Sequence, residues 1–87
     1  MSEMPSPYEE LVLEQFRTFT GNGNLSATDD FFGGGGDSFV AVHTVSAVAS
    51  IAGVELSPSS IFAHRTARAF AAHVSTVTER DNDREEG

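Results

Sequence analysis

The 87-residue sequence contains no cysteine, no tryptophan and no lysine. Without cysteine there is no disulfide framework, no thiolate metal site and no thiol nucleophile, and the redox compartment stays open. Without lysine, five arginines face 13 acidic residues, and the net charge of −8 argues against binding nucleic acid or an anionic membrane. The same absence excludes a P-loop, whose phosphate cradle needs Gly-Lys-Ser/Thr. No apolar run reaches the roughly 20 residues of a membrane-spanning helix, and Met1-Ser2-Glu3-Met4-Pro5 lacks the basic and apolar regions of a signal peptide, so a cytoplasmic protein is expected. Length allows one domain, able to bury only about 60–65% of its unfolded surface and therefore modestly stable.

What is present centres on Asp29-Asp30-Phe31-Phe32-Gly33-Gly34-Gly35-Gly36-Asp37-Ser38, followed by helix-compatible residues to Ala52. Four consecutive glycines forgo side-chain contacts and cost backbone entropy on ordering, so they predict a loop that bends sharply or lies open to an approaching molecule. Asp37 is the expected N-cap and Ser38 then opens a helix. That puts its hydroxyl at the positive end of the helix dipole, where free N–H groups attract phosphate. Taken alone, these residues are better read as a long turn with a cap.

The remaining elements predict an all-α fold of four helices, with a short third helix and a long loop between the first two. Residues 1–5 and 79–87 are expected to be disordered ends around a domain at 6–78, since the tail has no apolar anchor. Ser6, Pro7 and Glu9 form a helix start with a capping serine, and Tyr8, Leu11, Val12, Phe16 and Phe19 make its apolar stripe until Thr20-Gly21. Leu25, Phe31 and Phe32 are positioned to pin the long loop to the core. In the second helix Ala41, Thr44, Val45, Val48 and Ala52 form the core face, with Gly53 as its stop. Phe39, His43, Ser46 and Ser50 lie opposite, with Val42 at the margin. Ser57 and Pro58 open the short helix holding Ile61 and Phe62, and Thr66 caps the last, whose Ala67, Phe70, Val74 and Val77 face inward.

Catalysis by the chain itself is not expected. Gly36-Asp37-Ser38 is similar to the Gly-Asp-Ser block of a hydrolase family, but that chemistry needs a base, an oxyanion hole and a larger α/β scaffold. His43, His64 and His73 fall on three predicted elements without ligand spacing and are read as surface or cap histidines, with no metal site. Asn22, Asn24, Ser26, Thr28 and Asp30 alternate like calcium ligands, yet Ala27 occupies the position that needs glycine and no glutamate closes the loop. A serine hydroxyl without a base is a weak nucleophile, so any base acting on Ser38 must come from another protein.

Asp-Asp-Phe-Phe, then Gly-Gly-Asp-Ser after two residues, an apolar helix, Gly53-Val54-Glu55-Leu56 and a second helix started by Ser-Pro together resemble the thiolation domains, or peptidyl carrier proteins, of nonribosomal peptide synthesis. The resemblance covers about residues 8–78. It implies that Ser38, with Gly36 and Asp37 beside it, is the attachment site for 4′-phosphopantetheine, transferred from coenzyme A by a phosphopantetheinyl transferase with magnesium. The thiol of that arm would hold an aminoacyl, peptidyl or acyl group as a thioester. The implied partners are an adenylation enzyme or other acyl donor and a downstream condensing or tailoring enzyme, meeting a monomer.

Three positions depart from the family pattern. Gly33-Gly34 replaces a polar-leucine pair, Phe39 stands where leucine is usual, and Arg65-Thr66 replaces Pro-Thr. Phe39 either folds back on the glycine loop or serves as a docking contact, together with Val42, His43 and, on the short helix, Ile61. Acyl carriers of polyketide and fatty-acid synthesis typically carry acidic residues along the second helix. None occurs here between Phe39 and Val54, which favours the peptidyl type. The acyl type remains one alternative, and an acidic helical interaction module that is never modified is another. The starting methionine and charged tail point to a free-standing protein, although an excised module with added ends would look similar.

Overall fold

The computed structural model describes residues 6–86, so the disorder expected of residues 1–5 lies outside the described residues. Four helices follow in order: α1 (Glu9–Thr20), α2 (Ser38–Ala52), α3 (Ser60–Ala63) and α4 (Ala67–Glu86). Helix α1 packs on both α2 and α4, and α3 leans on α2. Among the described residues there is no strand, and one antiparallel bridge pairs Asp30 with Thr66. The architecture is the expected all-α bundle with a short third helix and a long first loop.

Two of the helices start on side-chain caps, and α2 ends on its glycine. Asp37 caps α2, accepting the Val40 N–H at 2.9 Å, and Thr66 caps α4 by accepting the Ala69 N–H at 3.1 Å. Gly53 closes α2 with φ 74°, a left-handed conformation that glycine adopts without steric cost. Ser6 departs from its expected role. Its Oγ accepts the Tyr8 N–H at 3.1 Å and its carbonyl accepts the Glu9 N–H at 3.0 Å, so it opens a turn and α1 starts only at Glu9. The same hydroxyl donates to the Ala71 carbonyl at 3.1 Å and pairs with Ser75 Oγ at 2.6 Å, tying the head of α1 to α4.

The core joins all four helices to the first loop. Phe16 of α1 meets Phe31 of the loop edge-on, with ring centroids 4.8 Å apart and planes at 67°, and lies 6.0 Å from Phe70 of α4. Leu25 and Phe31 are fully buried and Phe32 half-buried, so the long loop is an ordered part of the core. On α2, Ala41, Thr44, Val45 and Val48 are buried and Ala52 packs against them. Thr44 satisfies its hydroxyl by donating to the Val40 carbonyl at 2.8 Å.

The tail differs from expectation, because α4 continues as helix to Glu86. Phe70, Ala71 and Val74 anchor its first half in the core, and once a helix is nucleated each further residue adds a hydrogen bond at little cost. Residues 79–86 contain neither proline nor glycine, so no helix-breaking residue stops that propagation.

Candidate functional site

Ser38 is the first residue of α2 and is exposed. Asp37 before it is extended, with φ −128° and ψ −179°, and its carbonyl accepts the Ala41 N–H at 2.8 Å while its side chain takes that of Val40. The first N–H groups of a helix have no intrahelical acceptor, so those of Ser38 and Phe39 lie at the positive end of the α2 dipole. No acidic residue follows in the first turn. A phosphodiester on the Ser38 hydroxyl therefore fits the local chemistry.

The glycine run is shaped by what lies beneath it as much as by its own freedom. A β-carbon at Gly34 would collide with Leu25 Cδ1, and one at Gly36 with the ring of Phe31. Gly35, at φ 123°, makes the bend that a side chain would resist. Asn22 donates from its amide to the Gly34 carbonyl at 3.1 Å, joining the start of the loop to the run. Gly36 is thus a packing glycine beside the serine, and Asp37 is its cap.

Next to Ser38, Phe39 is 74% exposed and does not fold back on the loop; it meets the His43 imidazole edge-on at 4.7 Å. Val42 is 44% exposed on the same helix. Phe39, Val42 and His43 therefore share an apolar-edged exposed face starting at the serine. Ile61 does not join it. The turn Ser57–Ser60 rotates Ile61 into the core, where it is 0% exposed, and presents its neighbour Phe62 at 47% instead. The surface contact expected of Ile61 is corrected on that ground.

One cluster had no signal in the sequence. Arg65 grips Asp30 through two hydrogen bonds, Nε to Oδ1 at 2.7 Å and Nη2 to Oδ2 at 3.1 Å, and lies over the Phe32 ring at 4.8 Å. Phe32 stacks on Phe62 with centroids 5.1 Å apart and planes at 14°. The guanidinium and the Gly33 N–H hold the Asp30 carboxyl below the usual carboxylate range, the hydrogen bond to Arg65 contributing most. Charges 35 residues apart carry no mark of their pairing, and the Asp30 oxygens are engaged here in a clamp on the loop.

Residues 10–74 match the family model described as phosphopantetheine attachment site. Over 77 residues, 88% of the chain, the sequence is 30% identical to one of the subunits of the linear gramicidin synthase of Brevibacillus parabrevis. It spans about 2% of the length of that relative.

Proposed function

Because this chain belongs to the phosphopantetheine-attachment family, whose prosthetic group is 4′-phosphopantetheine, we propose that it is a peptidyl carrier modified on Ser38. The observation that carries this reading is the exposed Ser38 at the first position of α2, reached by a glycine run that lies close against Leu25 and Phe31. When attached, the arm supplies a thiol that holds aminoacyl or peptidyl cargo as a thioester. The residues of the chain present the hydroxyl and offer first-turn N–H groups to the phosphate, with the exposed Phe39 ring beside them. Deprotonation of Ser38 is assigned to the transferase, since among the described residues no histidine or carboxylate side chain is hydrogen-bonded to Ser38, and a serine hydroxyl without a base is a weak nucleophile.

The peptidyl type is favoured over the acyl type by the lack of acidic residues between Phe39 and Val54 and by the likeness to a gramicidin synthase. Partners reading α2 would meet Phe39, Val42 and His43 rather than a row of carboxylates. They are a phosphopantetheinyl transferase, an adenylation enzyme or other acyl donor, and a condensing or tailoring enzyme downstream.

Incubation with coenzyme A, magnesium and a broad-specificity phosphopantetheinyl transferase should add the mass of one arm to the intact protein. Ser38→Ala should fold normally and gain none. An unchanged wild-type mass would favour the unmodified interaction module, and modification persisting in Ser38→Ala would move the site. Charging of the loaded protein by an amino-acid-activating enzyme, against an acyl transferase, separates the peptidyl from the acyl type.

A further inference from the structure

We infer that Arg65 is a positioning residue for the modification of Ser38, holding the glycine run in the shape that presents the serine. The inference rests on the reading of Ser38 as the attachment site. Arg65 stands on the link between α3 and α4, far from Ser38 in sequence, yet hydrogen bonds run from it into the loop. Its guanidinium takes both oxygens of Asp30, at 2.7 and 3.1 Å, and Oδ2 of that carboxylate also accepts the Gly33 N–H at 2.7 Å. The Asp30 carbonyl accepts the Gly34 N–H at 2.9 Å. The Arg65 carbonyl accepts the Phe31 N–H at 2.7 Å, and the Phe31 carbonyl accepts the Gly36 N–H at 3.0 Å. Gly33, Gly34 and Gly36 are thus bonded to the two residues that Arg65 itself holds, and Asp37-Ser38 follow directly.

The clamp uses properties particular to arginine. A planar guanidinium takes a carboxylate with two parallel bonds and lies flat over an aromatic ring, here Phe32, which in turn stacks on Phe62 of α3. The Arg65 side chain is 51% exposed, and exposed ion pairs add little to global stability. Its effect is therefore local, on a run whose glycines have little conformational preference of their own. A transferase must align the Ser38 oxygen with the phosphorus it attacks, and displacement of a reacting group by about 1 Å can cost about a hundredfold in rate.

The test is the rate of arm attachment to the full chain at varied carrier concentration, followed by intact mass, with melting temperature and amide exchange measured on the same samples. Arg65→Gln should lower kcat/KM by about tenfold or more, within what such misplacement costs. It should melt close to wild type and show faster exchange at Gly33 and Gly34. Asp30→Asn, which can still accept from Gly33 but loses the charged fork, should slow loading in the same way. Arg65→Lys should recover only part of the rate, since an ammonium neither forks nor stacks. Arg68→Gln breaks the separate Arg68–Glu9 pair at 3.4 Å and should load at the wild-type rate.

Loading of Arg65→Gln and Asp30→Asn at the wild-type rate would overturn the inference. So would equal slowing by Arg68→Gln, or complete recovery with lysine, because either would reduce Arg65 to a surface charge. Loss of the fold in both clamp variants would make the pair a stability element and defeat the proposal as well. If wild-type protein gains no mass, the Ser38 reading fails and takes this inference with it; if it loads and Arg65→Gln loads equally, the inference fails alone.

Discussion

A β-carbon at Gly36 would fall on the ring of Phe31, which cannot swing away because its other side is buried against Phe16. Gly36→Ala should therefore cost about 1–3 kcal/mol, the usual penalty of overpacking a filled core, read as a lower urea midpoint. Gly33→Ala is the matched control: its β-carbon would meet Asp30 at ordinary contact distances of 3.4 and 3.5 Å, and its midpoint should hardly move. Phe39, 74% exposed, calls for the opposite outcome to Gly36. Phe39→Ala should change stability by about 0.5 kcal/mol or less, against about 3–5 for a buried phenylalanine, while loading by its own donor enzyme falls. A large stability loss with normal loading would place Phe39 in the core and the partner elsewhere. The four glycines look alike in sequence. Which of them are forced by contact depends on where Leu25 and Phe31 land, and that is set by packing with residues distant in the chain.

Elements are legible wherever their determinants are local. Asp37, Gly53 and Thr66 cap the helices that their neighbouring residues predict, and Asp37→Ala should cost about 1 kcal/mol of stability, measured by denaturant titration, because the Val40 N–H loses its acceptor. The face of α2 that is buried also follows from spacing alone. Ser6 differs from expectation because its hydroxyl serves contacts 65 and 69 residues away, which no local pattern records. Ile61 differs for a related reason: a helix of four residues is too short for periodicity to tell its inner side from its outer. The helical end of α4 escapes a reading that weighs charged composition and leaves out helix propagation. No apolar residue follows Val77, so truncation after Thr78 should lower the far-UV helical signal and leave the melting temperature unchanged. A drop of several degrees would show that residues 79–87 dock on the bundle.

For the whole molecule, the fold brings together titratable groups that sequence spacing kept apart. His64, which closes α3, stacks on His73 of α4 with ring centroids 4.5 Å apart and planes at 17°. Burial, chiefly, and then the positive charges of His64 and Arg80 hold the His73 pKa below its ordinary 6.5. An imidazole with a depressed folded pKa takes up its proton first in the unfolded chain. Stability is then undiminished above about pH 6.5 and falls as pH drops from there through the folded value. Asp30 follows the carboxylate case. With its folded pKa below 3.8, its contribution is present above that value and is lost only in stronger acid, as pH falls through the folded pKa. Between about pH 7.5 and 5.5 His73 should therefore govern the trend, and the wild-type melting temperature should decline across that interval. His73→Gln, which removes the titrating ring, and His64→Gln, which removes its like-charged neighbour, should flatten the profile, the former more. Parallel profiles for all three proteins would mean that the stack opens without cost on protonation.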